Sequence, residues 1–307
     1  MTQQYPGPTS SPGAPGPTVG GPGVVTWLDD PRATDVLHTG GKGAGLAHLR
    51  QAGLPVPDGF VVDADAYRTF VATSGLAPLV EQITADLDGR DPDALAGASA
   101  RLRAAFEAAP VPDALAGPIV AAWSRLGGEA VAVRSSATTE DLPRASSAGQ
   151  QDSVLGVIGA EQVVDAVRRC WSSVWTARAL AYRARQGTPH TEVAGAVVVQ
   201  RMVPADVAGV LFTADPVTGR RDRVVLEGVR GLGDALVSGR VTPQRWVVDA
   251  GTRLVLEGPD GANQQLLDDA RVRELAGLGL RAAALADVLP TDVAFSAEDC
   301  GTWSRIG

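Results

Sequence analysis

The spacing of apolar residues along the chain changes near residue 190. Before that point, residues 60–130 are alanine-rich with a mostly helical pattern. Residues 161–185 place five apolar side chains three or four positions apart, namely Val164, Val167, Trp171, Val174 and Trp175. Such spacing predicts an amphipathic helix whose apolar stripe joins a core. A short helix is also predicted over about Ala44–Gln51, and a final one around Leu267–Val288.

Short apolar runs replace this pattern after residue 190. The runs AGAVVVQRMV, AGVLFTAD, DRVVLEGV, RWVVD and LVLE are separated by turn residues, which predicts a largely antiparallel sheet. The fold class is therefore α+β, with a helix-rich first lobe over 24–190 and a strand-rich second lobe over 191–307. A cleft between two such lobes is a favoured place for a ligand.

Composition narrows the class of protein. Residues 1–23 contain six prolines, six glycines and no charge, so we expect a disordered tail there. The net charge of -8 and the lack of a basic run disfavour nucleic-acid binding. No apolar run approaches the ~20 residues that span a bilayer, so we expect no membrane partner and a cytoplasmic location. The two cysteines, Cys170 and Cys300, match no metal-site spacing.

The segment HTGGKGAG carries a candidate phosphate site. It is not a Walker A loop, because Gly43 follows Lys42 where Ser or Thr is needed, and no good apolar strand precedes it as a dinucleotide fingerprint requires. Even so, Gly40, Gly41 and Gly43 permit unusual backbone angles, and Lys42 adds a cation near a helix N-terminus. The alternative is a glycine-rich turn with a solvated lysine.

A second candidate lies in VAVRSSATTEDLPRASSAGQQDSVLGV, residues 131–157. Arg134 ends a strand-like run and offers a planar fork of donors suited to phosphate oxygens. Gly149 would let the backbone approach a ligand closely, and neighbouring side chains, Gln150, Gln151 and Ser153, offer neutral hydrogen bonds. The alternative is a polar surface loop in which Arg134 pairs with Glu140 or Asp141.

Taken together, several motifs produce a family resemblance over about residues 35–295. The segments GGKGAGLAHLRQAGLPVPDGFVV, VAVRSSATTEDLPRASSAGQQDSVLGV, VVVQRMVPADVAGVLFTADPVTG and GLGDALVSGRVTPQRWVVD follow one another in the family's order. The chain resembles the N-terminal nucleotide-binding domain shared by phosphoenolpyruvate synthase, pyruvate phosphate dikinase and rifampicin phosphotransferase. The resemblance implies a fold of the ATP-grasp type, in which two α+β lobes close on ATP.

The resemblance also implies an activity and a set of site residues. Such enzymes split ATP to AMP and pass phosphoryl groups through a histidine on a separate swivelling domain to pyruvate or another acceptor. By this comparison, Lys42 and Arg134 match cationic phosphate ligands that stabilise the transferred group. Gly149 and Ser153 fall at loop positions that touch the nucleotide, and Gln200 matches a nucleotide contact in the hinge between lobes.

The C-terminal segment departs from the family. A strand of the form D-x-E-W is expected there, followed by one ending Q-x-R-P, whose Glu and Gln bind Mg²⁺ and phosphates. The chain keeps Asp292 as a metal residue but has Ala294 where the Glu is expected, and it lacks the Q-x-R-P strand. We therefore expect an incomplete second lobe and weakened Mg²⁺ binding. Glu227 and Asp234 are further candidates for organising metal or phosphate, and each is equally explained as an ordinary solvated or capping acid.

None of the three histidines, His38, His48 and His190, has the threonine-serine-histidine context of the phosphocarrier domain. The expected partners are therefore ATP and a phosphocarrier histidine on a separate domain or protein. Three hypotheses stay open at this point. The chain is an enzyme component that phosphorylates that histidine, a nucleotide-binding module without turnover, or a truncated fragment.

Overall fold

A computed structural model of the chain describes residues 23–137, 153–259, 265–286, 292–297 and 303–306. The predicted tail, apart from Gly23, lies outside these ranges, as do Glu140, Asp141 and Gly149. Two antiparallel sheets with helices packed against them confirm the α+β class. Within the described residues, no helix is both long enough and apolar enough to cross a membrane.

The first sheet has five strands in the order β1-β2-β5-β3-β4. Their bounds are β1 Val25–Trp27, β2 Gly59–Val62, β3 Val131–Ala137, β4 Ser153–Val157 and β5 Gly195–Arg201. Strand β5, which the sequence pattern groups with the second lobe, pairs here with β2 and β3. We therefore propose that the first lobe extends to Arg201 and that the boundary lies before Val207, not at residue 190.

Helices cover both faces of this sheet. Helix α1, Val36–Gln51, packs against Val61, Ala196 and Val198 on one face. The opposite face, with Val133 and Val197, meets a larger apolar core. That core is formed by helices α2 Ala64–Thr73, α3 Leu76–Thr84, α4 Pro92–Ala108, α5 Asp113–Arg125, α6 Ala160–Ser172 and α7 Ala177–Gln186. Strands β2 and β5 of this sheet are thus buried on both sides.

The single helix predicted over residues 161–185 is wrong. Helix α6 ends at Ser172, a 3-10 turn covers Ser173–Trp175, and Thr176 then caps α7 by accepting from the Ala179 N–H at 3.3 Å. Trp171 and Trp175 are buried as predicted. The apolar spacing carries across the break, because both helices and the turn pack on the same core.

The second sheet has six strands in the order β11-β10-β6-β7-β8-β9. Their bounds are β6 Val207–Phe212, β7 Arg223–Arg230, β8 Gln244–Asp249, β9 Val255–Glu257, β10 Asp292–Ala297 and β11 Trp303–Ile306, with the short helix α8, Asp234–Val237, between β7 and β8. Helix α9, Asp269–Ala286, covers one face, where Val272 and Leu275 pack on Leu226 and Trp246. Ala282 of α9 packs among side chains of the first lobe, so α9 contacts helix α1 as well as the second sheet.

The prediction that the last strand would be missing is wrong, because the backbone forms a strand there. Strand β11 pairs antiparallel with β10, with Ala294 opposite Ile306. The Q-x-R-P sequence is still absent, so this strand has the expected place in the sheet without the expected side chains. Main-chain pairing needs extended backbone and not particular side chains, which is why the strand persists.

Helix α1 contains the glycines that the sequence predicted to precede it. The helix begins at Val36, where the Asp35 side chain accepts from the Leu37 N–H at 2.9 Å, and it is kinked at Gly40, with φ 67° and ψ 169°. A Cβ atom at Gly40 would overlap the carbonyl oxygen and hydroxyl of Ser136 on β3. The kink therefore requires glycine for two reasons, its left-handed φ and this close approach.

We expect Gly40→Ala to destabilise the fold strongly. The matched control is Gly53→Ala, because Gly53 also has a positive φ, 75°, but has no atom within 4 Å of a Cβ built there. Both variants place a Cβ at a positive φ, which costs of order 1 to 3 kcal/mol, and at Gly40 the displacement of a backbone carbonyl adds to that cost. Thermal unfolding of both variants measures the difference, and equal melting temperatures would contradict the close approach.

A buried carboxylate lies at the end of β2. Asp63 is 6% exposed and accepts from the Thr26 hydroxyl at 2.8 Å, while its Oδ1 has no hydrogen-bond partner among the described residues. Burial raises the pKa of Asp63 from 3.8 to about 6, and the charges of His38 and Arg32 oppose this shift. Because the folded pKa lies above the unfolded value, the stabilisation from protonating this group is fully present below pH 3.8 and is lost as the pH rises to about 6.

Asp63→Asn should therefore raise the melting temperature at pH 8 and change it little at pH 4. The shift in pKa corresponds to at most about 3 kcal/mol at pH 8, and asparagine keeps an oxygen that can accept from Thr26. Asp86→Asn is the control, because Asp86 is an exposed acid of the same lobe. A melting temperature that Asp63→Asn leaves unchanged or lowers at pH 8 would contradict the buried charge.

Candidate functional site

Lys42 lies on α1, in the first turn after the Gly40 kink. It is half-buried, and its Nζ donates to the Ser135 carbonyl oxygen of β3 at 3.3 Å. The flexible lysine stem is thereby held against the strand that carries the second predicted cation. Its ammonium group adds a positive charge to this face of the sheet, which suits an anion.

Arg134 lies in the middle of β3 and is 8% exposed. Its Nε is buried and has no hydrogen-bond partner among the described residues, and no ion pair joins it to a described carboxylate. Burial lowers the pKa of Arg134 to about 10, so the guanidinium stays charged at neutral pH. Burying such a charge without a counter-ion costs several kcal/mol, and a bound anion would offset that cost.

Strand register brings the predicted site residues to one face of the sheet. Arg134 is opposite Ser153 of β4 and Val198 of β5, and Gln200 is opposite Ala132. Residues directly opposite each other, or two apart along a strand, share a face. This face is the one that α1 covers, because α1 packs on Val198. Lys42, Arg134, Ser153 and Gln200 thus come from four elements to one side of the sheet, where Ser153 is exposed.

Gln200 is 4% exposed, and its Nε2 donates to the Pro57 carbonyl oxygen at 3.2 Å. A carbonyl oxygen can only accept, so this contact fixes which end of the amide is the NH₂ group. The amide oxygen of Gln200 is then directed away from Pro57 and is available as an acceptor. It suits a ligand that carries an amino group.

Ser136 is a further site residue that the sequence analysis did not single out. It is fully buried, and its hydroxyl donates to the Thr39 carbonyl at 2.8 Å and accepts from the Gly43 N–H at 3.0 Å. Ser136 lies two residues after Arg134 and therefore on the same face of β3. That period-two spacing is the signal in the sequence that could have identified it.

The predicted metal residue lies in the second sheet. Asp292 of β10 is opposite Phe212, and Ala294 is opposite Val210 of β6, which is in turn opposite Glu227 of β7. Strands lie about 4.8 Å apart, so the Ala294 and Glu227 backbones are separated by roughly 10 Å. Among the described residues, no group of three or more His, Cys, Asp or Glu side chains is placed to hold a metal ion.

Comparison with known proteins shows which family the chain matches. The family described as "Pyruvate phosphate dikinase, AMP/ATP-binding domain" matches residues 36–281, from the first residue of α1 into α9. This span includes Lys42, Arg134, Ser136, Ser153 and Gln200, and it ends before β10. The match confirms the resemblance found in the sequence.

Curated relatives carry the name phosphoenolpyruvate synthase. The chain is 43% identical over 285 residues to "Probable phosphoenolpyruvate synthase" of Methanocaldococcus jannaschii, which covers 83% of this chain and 24% of that protein. It is 45% identical over 242 residues to "Phosphoenolpyruvate synthase" of Aeropyrum pernix, covering 76% and 29%. The chain spans less than half the length of these relatives. It belongs to the pyruvate phosphate dikinase AMP/ATP-binding domain family and has that family's ATP-grasp type of fold.

Proposed function

We propose that the chain binds ATP on the face of the first sheet that carries Lys42 and Arg134. The observation that supports this most directly is the buried guanidinium of Arg134, which has no described carboxylate beside it. A nearly buried cation in a polar setting is well suited to phosphate oxygens, because arginine binds them through a planar fork of donors. Lys42, held on the same face by Ser135, adds a second charge for the triphosphate.

The neutral residues of this face complete the proposed nucleotide site. Ser153 is exposed opposite Arg134 and offers a hydroxyl to the phosphates or ribose. Gln200 presents an amide oxygen that can accept from the amino group of adenine. Gly149, outside the described residues, stays in the proposal as a position of close backbone approach, on the strength of the sequence alone.

The reaction we propose is transfer of phosphoryl from ATP to a histidine nitrogen on a separate domain or protein, as the β,γ-diphosphoryl group, so that AMP is the leaving group. In such a step a P–N bond forms as a P–O bond of ATP breaks, and negative charge grows on the departing phosphate oxygen. Lys42 and Arg134 would neutralise that charge, which is the main catalytic contribution that phosphoryl transfer needs from a protein. The named relatives are much longer than this chain, which is consistent with an acceptor histidine outside it. A cytoplasmic location remains part of the proposal.

The described residues do not fit a Mg²⁺ site built by the protein. Ala294 stands where a second carboxylate would be needed, and the nearest acid in its row, Glu227, is in register with Arg245. Asp292 stays our proposed metal residue, but one carboxylate makes a weak site, and the phosphates would have to supply most oxygen ligands. We assign no reaction step to a protein-bound metal. Ala294 is the specific reason to keep a nucleotide-binding module without turnover as the second candidate function.

The first prediction from this proposal concerns Arg134. Arg134→Ala should weaken ATP binding by 1.5 to 3 kcal/mol, about 10- to 150-fold, because a charged hydrogen-bonding partner of the phosphates is lost. Arg134→Lys should recover only part of the affinity, since lysine keeps the charge but not the planar fork. Isothermal titration calorimetry at several salt concentrations measures both effects.

The control for this experiment is Arg183→Ala. Arg183 is also a buried arginine of the first lobe, 5% exposed, but it lies over the Trp175 ring and donates to His190. We expect Arg183→Ala to lower stability without a specific effect on ATP affinity. If Arg134→Ala binds ATP as tightly as the parent protein, the proposed site is wrong.

The second prediction concerns Ala294. The parent protein should bind ATP with nearly the same affinity in Mg²⁺ and in EDTA, whereas Ala294→Glu should gain about tenfold from Mg²⁺ because a carboxylate ligand is added. Ser296→Glu is the control, since it adds the same charge two residues along β10, opposite Ala208. With a phosphocarrier histidine domain supplied, AMP formation should rise only in Ala294→Glu. Strong AMP formation by the parent protein would remove the second candidate function.

A further inference from the structure

We infer that Ser136 is a positioning residue for the phosphate-binding cations. Its hydroxyl, supplied by β3, holds together the helical turn that presents Lys42. The inference rests on the proposed function, because it assigns a role within that same site. It concerns a residue that contacts no ligand in the proposal and acts through the backbone of α1.

The Ser136 hydroxyl binds two backbone groups of helix α1. In a regular α-helix the N–H of residue 43 donates to the carbonyl of residue 39. The Ser136 hydroxyl accepts from the first of these groups at 3.0 Å and donates to the second at 2.8 Å. It therefore bridges a pair that a helix normally joins directly, as side chains inserted into the helical ladder do at kinks.

This bridge lies at the kink of helix α1. It spans Gly40, whose non-helical ψ of 169° opens the helix at this turn, and Lys42 lies within the bridged segment. The Lys42 ammonium group contacts the carbonyl of Ser135, the residue next to Ser136. One hydroxyl thus fixes both the backbone that carries Lys42 and the distance of that backbone from the strand that carries Arg134.

The bridge between Ser136 and helix α1 is buried. Ser136 is 0% exposed and Thr39 is 0% exposed, so water cannot readily replace the hydroxyl if it is removed. Two buried backbone groups, the Gly43 N–H and the Thr39 carbonyl, would lose this partner. The turn would have to shift to satisfy them, and even a small shift of Lys42 relative to Arg134 weakens a two-cation phosphate site.

The adjacent serine provides a matched control. Ser135 is 4% exposed, its hydroxyl is buried, and that hydroxyl has no hydrogen-bond partner among the described residues. It lies on the opposite face of β3, in register with Val197 of the main core. Ser135→Ala and Ser136→Ala therefore remove the same atom from neighbouring buried positions, and only the second removes the bridge.

The experiment measures binding of ATP and of adenosine to the full chain by calorimetry, together with hydrogen exchange at the Gly43 amide. We expect Ser136→Ala to weaken ATP binding about tenfold while leaving adenosine binding unchanged, and to speed exchange at Gly43. Ser135→Ala should match the parent protein in all three measurements. Ser136→Cys, which replaces the hydroxyl with a larger and weakly hydrogen-bonding thiol, should resemble Ser136→Ala and serves if that variant does not fold.

The outcomes separate this inference from the proposed function. If Ser136→Ala binds ATP like the parent protein, or loses ATP and adenosine affinity equally, the positioning role is wrong even where Arg134→Ala still weakens ATP binding. If the parent protein does not bind ATP, the proposed function fails. In that case unchanged exchange at Gly43 in Ser136→Ala would also overturn the bridge, and faster exchange would support it.

Discussion

The close approach of helix α1 to strand β3 is the constraint on which the site depends. Gly40 has no side chain because the Ser136 carbonyl and hydroxyl occupy that space, and Gly43 is close to Val61 of β2. A helix this close to a sheet can present a cation within reach of a residue in the strand below. These glycines thus let the helix pack closely on the sheet, and they also permit backbone angles that other residues rarely adopt.

Electrostatics explains why such a site must be held rigidly. Two arginines of the first lobe are almost fully buried, and burial lowers the pKa of each to about 10. Arg183 lies over the Trp175 ring, 5.1 Å away, and donates to the His190 ring nitrogen, while its Nη2 is buried without a partner among the described residues. Arg134 has neither kind of contact among the described residues, and a bound anion would offset the cost of burying its charge.

Much of this arrangement could be predicted from the sequence, and the failures have physical causes. Lys42 and Arg134 were identifiable because charged residues stood out in segments that could not form a core. The kinked start of α1 could not be predicted, because glycines disfavour a helix. The contacts with Ser136 and Val61 that compensate for them come from strands far away in sequence. The sequence pattern grouped strand β5 with the later strands, whereas β5 pairs with β2 and β3, because an apolar run predicts burial but not which sheet it joins.

In the C-terminal hairpin, the pairing of the backbone does not require the side chains that would bind a metal. Strands β10 and β11 complete the second sheet through main-chain hydrogen bonds, which Ala294 and Ile306 form as well as other residues would. This main-chain pairing does not depend on the side chains that would bind a metal there, so the strands can form without them. The cations on the first sheet differ, because Lys42 lies on a helix whose kink is built into the packing. A fold of this kind can therefore keep the determinants of nucleotide binding after those of metal alignment have weakened, and binding and turnover have to be measured separately.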